Sequence, residues 1–202
     1  MLTREKFVLI DINMTKKSSG CPKNCPIEKD EKMTKNTKRI FAWTRLEKIK
    51  VISIIPDKEN PCQKLRFSLR HDLATLETSS NTDLPIERFA HDQIIFHNRS
   101  IDPFDEPKID RMLTELGDET IIMIGISKSI ILIVLGLLNR RKKVIVLWDA
   151  TRFPRLDIKE REIVKRTLQS KGAEITTVKE FIEKRKLSRQ KESSQTKMVM
   201  SV

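Results

Sequence analysis

Ser127 and Ser129 flank Lys128 directly after an apolar run, and Asp11, His97, Asn98 and Asp149 each stand at or next to the end of another. Hydroxyl, imidazole and carboxylate are the groups that hydrolysis of an amide or ether-type bond needs. The hydroxyl attacks, a base takes its proton, and N–H donors at a helix start hold the developing oxyanion. Ser127 or Ser129 as nucleophile, assisted by His97 or Asp11, would supply that set. Each residue also has a plainer use. A strand-end acid such as Asp11 or Asp149 accepts a neighbouring backbone N–H. A lone His is usually satisfied by ordinary hydrogen bonds, and serines at a helix start cap it. Lys128 is either a pocket cation or a solvated side chain. Three thiols, Cys21, Cys25 and Cys62, complete the reactive inventory. Cys21 and Cys25 are close together, but a zinc site needs about four ligands and no His lies near them. Incidental loop cysteines are the expectation, with no metal and no cofactor.

The elements that must position these groups are legible as alternating strands and helices. Strands are expected at residues 7–12, 51–55, 93–97, 120–125, 143–148 and 174–177, most of them predominantly apolar. Helices are expected from Thr34 to Lys48, after Asp105 with Pro107 in the first turn, from Ser129 to Leu138, after Asp157, and briefly near Lys179–Lys184. Ile109, Met112, Leu113 and Leu116 form one inward stripe, and Ile163, Val164 and Leu168 another. Gly117 and Gly172 should stop their helices, and Asp157 with Glu160 forms a capping-box pattern. Residues 57–90 show no clear period. Fully apolar strands alternating with helices predict a parallel sheet covered on both faces. In such sheets the functional crevice lies at the carboxyl ends of the strands. That rule gathers Asp11, His97/Asn98, Gly125–Ser129 and Asp149.

The stretch IGISKSIILIVLGLL, residues 124–138, could be mistaken for a membrane anchor. A span needs about 20 apolar residues, and this one reaches that length only with Lys128 deep in the bilayer. A central strand, a turn at Gly125 and a buried helix account for it better.

A chain of 202 residues suits one domain with a real core. The net charge of +12 invites an anionic partner. Residues 15–50 carry 11 Lys/Arg against 4 Asp/Glu and residues 182–202 carry 6 against 2, so the remainder is close to neutral. Aromatics are 5% of the chain and Tyr is absent, which leaves few platforms for stacking bases. Solvated basic surface is the preferred reading and nucleic acid the disfavoured partner. MLTREKFVLIDIN is too short and too charged for a secretory leader, so a reducing cytoplasm is expected.

The order of FVLIDIN, PIERFAHDQIIFHNRSIDPF, ETIIMIGISKSIILIVLGLLNRRKKVIVLWDA and KGAEITTVKEF resembles the isochorismatase-like cysteine hydrolases, which include nicotinamidases. The resemblance covers roughly residues 6–182. It implies a three-layer α/β/α fold with a six-stranded, mainly parallel sheet, and an Asp–Lys–Cys triad. Asp11 matches the aspartate. The lysine position falls on Asn98 or the adjacent His97. In the register Gly125-Ile126-Ser127-Lys128-Ser129-Ile130-Ile131, isoleucine stands where the family has its cysteine. Gly125, Ile126, Lys128 and Asp149 would line the pocket.

A thiolate nucleophile requires a lone pair that Ile131 does not have. The expectation is therefore a catalytically degenerate isochorismatase-like domain at residues 1–181, with a basic, loop-rich insertion at about 13–35 and a basic flexible tail at 182–202. It would bind a small molecule, pair with itself or serve as a subunit for a protein partner. The alternatives are a hydrolase with Ser127 or Ser129 as substituted nucleophile, and a basic nucleic-acid-associated protein.

Overall fold

The computed structural model describes residues 5–13, 31–56 and 93–199, with side chains to residue 188. Cys21, Cys25, Cys62, most of the 13–35 insertion and all of 57–90 lie outside the described residues.

Six strands form one sheet: β1 (Phe7–Ile12), β2 (Lys50–Pro56), β3 (Gln93–Asn98), β4 (Thr120–Ile126), β5 (Val144–Arg152) and β6 (Glu174–Thr176). Their order is β3-β2-β1-β4-β5-β6 and every pairing is parallel. The helices are α1 (Glu31–Leu46), α2 (Pro107–Glu115), α3 (Ser129–Asn139), α4 (Ile158–Ser170) and α5 (Val178–Val199). Alternation along the strands divides the core in two. Val8, Ile10, Ile52, Ile54, Ile121, Met123, Val144 and Val146 face α2, α3 and α4 through Ile109, Leu113, Ile130, Val134 and Leu168. Leu9, Val51, Ile122, Ile124, Ile145 and Leu147 face α1 and α5 through Ile40, Phe41, Trp43, Val178 and Phe181. Such two-sided burial is why the central strands read as unbroken apolar runs.

Residues 124–138 are divided as the charge pattern requires. β4 carries the first part, Gly125 turns the chain, and α3 is an 11-residue helix. Among the described residues no helix is long and apolar enough to cross a membrane.

Several local expectations need correction. Asp105 does not cap α2. It ends a short 3-10 turn, Pro103–Asp105, which Asp102 caps by accepting from the Phe104 N–H at 3.0 Å. A second proline, Pro107, then starts α2, with no side-chain cap at Glu106. β5 continues past Trp148 to Arg152, through a register shift against β4 between Met123 and Gly125, so Asp149 lies within the strand. Ile163 is 64% exposed: in α4 only Leu168 is buried, with Val164 packed against the core. The capping box of Asp157 and Glu160 is present, and Gly172 follows α4 at φ +102°. The last helix does not stop near Lys184 but runs to Val199. Nothing in that stretch is Gly or Pro, and Lys, Arg, Gln and Glu are good helix formers. Ile182 is buried in the core, so the helix is anchored beyond the expected boundary of the tail.

Candidate functional site

The strand order reverses between β1 and β4, whose crossovers leave in opposite directions. That switch point is where a parallel sheet opens a crevice beyond its carboxyl edge. Asp11, Asn13 and the Gly125–Ser129 turn stand on either side of it.

Asp11 is completely buried and sits in register with Ser53 on β2 and Ile124 on β4. Its Oδ2 accepts the Ser53 hydroxyl at 2.9 Å, and the Ser53 Oγ accepts from Gln93 Nε2 at 2.8 Å. Oδ1 has no partner among the described residues. Burial pushes the Asp11 carboxyl up to about 7, although the Ser53 hydrogen bond pulls the other way. Among the described residues no ammonium holds it charged.

Asn13, the residue after β1, adopts the left-handed region at φ 57°. Its N–H donates to the Ile54 carbonyl at 2.8 Å and its Nδ2 to the Ile126 carbonyl at 3.2 Å. One residue thereby ties the ends of β1, β2 and β4. Gly125 makes this closeness achievable: at φ +137°, a Cβ there would lie 2.3 Å from the Ile12 carbonyl oxygen.

Past Gly125, the Ser127 N–H donates to the Arg152 carbonyl at 3.1 Å, and its Oγ accepts from the Ser129 N–H at 3.1 Å. Ser127 thus secures the helix start, while Ser129 is the first residue of α3 rather than its cap. Lys128 occupies the cap position, is exposed and makes no side-chain capping bond. The Ile131 N–H donates to the Lys128 carbonyl at 3.1 Å, and the Ile131 side chain packs against the core. Two first-turn amides that could have faced an oxyanion are therefore engaged within the turn.

The remaining residues are spent elsewhere. Asn98 is buried and closes its own turn: Oδ1 accepts the Ser100 N–H at 3.1 Å, and Nδ2 donates to the Ser100 carbonyl at 2.8 Å. His97 points to the other face of β3, at the sheet edge, and is exposed. It lies two strands from β1 and two residues further along, which separates it from Asp11 by roughly 12 Å. Asp149 accepts the Val178 N–H at 2.8 Å and Asn36 Nδ2 at 2.8 Å, joining the start of α5 to α1. That is a capping bond. Ser53, Gln93 and Asn13 were not singled out from the sequence. The one available signal was Ser53, a hydroxyl inside an otherwise apolar strand.

Among the described residues no three His, Cys, Asp or Glu side chains gather as a metal site. A cleft of about 470 Å³ lies at the opposite, amino edge of β4 and β5, between Gly117–Glu119 and Arg140–Lys143. Lys142 Nζ donates there to the Leu116 and Gly117 carbonyls, and the cleft shares no residue with the switch point.

No family model matches the chain, and no curated protein does. Solved structures do. An isochorismatase-like hydrolase from Alkaliphilus metalliredigens is 21% identical, with a TM-score of 0.62 over 88% of this chain and 98% of that one. N-carbamoylsarcosine amidase from Thermoplasma acidophilum is 17% identical, with a TM-score of 0.62 over 86% and 96%. A ribonuclease from Caenorhabditis elegans is 16% identical, with a TM-score of 0.60 over 88% and 79%. The chain has the isochorismatase-like hydrolase fold.

Proposed function

We propose that this chain, folded as an isochorismatase-like hydrolase, is catalytically degenerate and acts by binding, as a small-molecule-binding or scaffold subunit. The observation that carries this reading is the start of α3. Ile131, at the position matched to the nucleophile, packs against the core, and the Ser129 and Ile131 amides are bonded within the turn. A hydrolase needs both an attacking lone pair and free oxyanion donors there. The other half of the site supports the same conclusion. Asp11 accepts from Ser53, itself held by Gln93, and among the described residues it has no lysine through which to activate a nucleophile.

The buried carboxyl and its unpaired Oδ1 suit recognition instead. Protonated, Asp11 is a hydrogen-bond donor for a carbonyl or carboxylate oxygen entering the crevice.

A second reading keeps one specific support. The Ser129 hydroxyl stands at the first turn of α3 with no hydrogen bond among the described residues, open to use as a substituted nucleophile. Wild type, Ser127→Ala and Ser129→Ala assayed against a panel of amides and vinyl ethers, with and without an alkylating agent, separate the two. The binding role predicts no turnover in any arm. Turnover insensitive to alkylation and lost in Ser129→Ala would establish the serine hydrolase. Turnover abolished by alkylation would refute the loss of thiol chemistry.

A further inference from the structure

We propose that the solvent face of α1 binds the phosphate backbone of double-stranded nucleic acid without reading its sequence. Lys32, Lys35, Lys38 and Arg39 are all exposed on the first half of this helix, against a single acid, Glu31. None of the four has a hydrogen bond or ion pair among the described residues. On α2 and α4, by contrast, basic residues have acidic partners: Arg111 pairs with Glu115, and Arg166 with Glu162.

The arrangement works against the helix that carries it. Cations near an amino terminus oppose the macrodipole. Lys32–Lys35, Lys35–Lys38 and Lys35–Arg39 are like-charge neighbours at three- and four-residue spacing, which is also destabilising. Departures from local stability rules of this kind mark surfaces kept for a partner. The partner must be polyanionic. From residue 32 to 39 the helix rises about 10 Å, a length over which a duplex carries about six phosphate charges.

Two features select a duplex backbone. The exposed positions of the stripe are Lys, Arg and Thr, with no apolar side chain to insert into a bilayer, and the exposed Leu46 lies at the far end. The helix's aromatic residues, Phe41 and Trp43, are buried, so no platform exists for stacking unpaired bases.

The test is fluorescence anisotropy with labelled 20-base-pair DNA and RNA duplexes of unrelated sequence, at 50 and 200 mM salt. Four phosphate contacts predict a salt slope of about −3.6, and hence affinity about 150-fold weaker at the higher salt. The variant Lys32→Glu/Lys35→Glu/Lys38→Glu/Arg39→Glu should bind at least 100-fold more weakly while keeping its circular dichroism and melting temperature. A control with the same charge change elsewhere, Lys108→Glu/Lys159→Glu/Lys165→Glu/Lys171→Glu, should stay within threefold of wild type. The proposal is overturned if wild type binds neither duplex at 50 mM, if the α1 variant binds as wild type does, or if the control loses as much. Tighter binding to phosphatidylserine vesicles than to duplex, lost in the α1 variant, would assign the face to a membrane and overturn it equally.

Discussion

At the scale of single residues, burial of Asp11 couples its proton to stability. Its folded pKa lies near 7 against an ordinary 3.8, with burial as the dominant cause. The native state therefore holds a proton that the unfolded chain releases earlier. The contribution is most favourable below about pH 4 and declines as pH rises through 7. Between pH 5 and 8.5 wild type should lose about 3 kcal/mol that Asp11→Asn does not lose, measured by urea denaturation at both values. Equal losses in the two proteins would show that Asp11 is not the titrating group. Ser53→Ala should move the transition to higher pH, because the hydroxyl is the one group lowering the carboxyl. Gly125→Ala puts a Cβ against the Ile12 backbone at a positive φ, and should cost more than about 2 kcal/mol in the same assay. Of this site, Asp11 and the Gly125–Ser129 turn were readable because strand-end acids and glycine turns leave local marks. Ser53, Gln93 and Asn13 were not. Their roles depend on which strands become neighbours, and strand order is a long-range property.

Elements show the same division between local and long-range information. The capping box of α4 was legible because its three-residue spacing is the whole mechanism, and Asp157→Ala should cost about 1 kcal/mol in thermal unfolding. Inward faces were harder. Ile158 and Ile163 are apolar yet exposed at 87% and 64%, because the apolar contact of α4 with the core is made by Val164 and Leu168. Hydrophobicity says that a residue could be buried; packing decides which turn is. The contact of α3 with the 3-10 turn is a case where packing is tight enough to test. A Cβ on Gly136 would lie 2.1 Å from the Phe104 ring, and the Arg140 guanidinium stacks 4.1 Å from the ring's centre. The ring must shift to admit the methyl group, so Gly136→Ala should destabilise by about 1–3 kcal/mol. Gly136→Ala/Phe104→Leu should recover part of that loss. A double variant worse than the sum of its parts would mean that the ring is not the obstacle.

For the whole molecule, the layered sheet was legible in the spacing of apolar runs, whereas the order of the strands and the extent of α5 were not. α5 covers one face of the sheet together with α1, and its first turns supply the buried residues. Val178, Phe181 and Ile182 are buried, and Phe181 makes edge contacts with Phe7 and Trp43 at 5.9 and 5.0 Å. Arg185 continues this contact, 4.3 Å from the centre of the Phe7 ring and 2.5 Å from the Glu5 carboxylate. From Lys186 to Ser188 the side chains are polar or exposed, with Leu187 at 59%. Burying large apolar side chains contributes about 1.5–3 kcal/mol each, so Phe181 and Ile182 together are a large part of a typical total of 5–15 kcal/mol. A chain ending at Ser188 should melt within about 3 °C of the full chain, since it keeps every one of these contacts. One ending at Lys184 loses Arg185 and should melt about 3–6 °C lower, a cation–π and ion-pair loss of one to two kcal/mol. One ending at Glu180 loses Phe181 and Ile182 as well, and should not give a cooperative transition. The order of the three melting points is the measurement. If the chain ending at Ser188 falls as far as the one ending at Lys184, residues 189–199 make stabilising contacts of their own, and the core-facing part of α5 extends past Arg185.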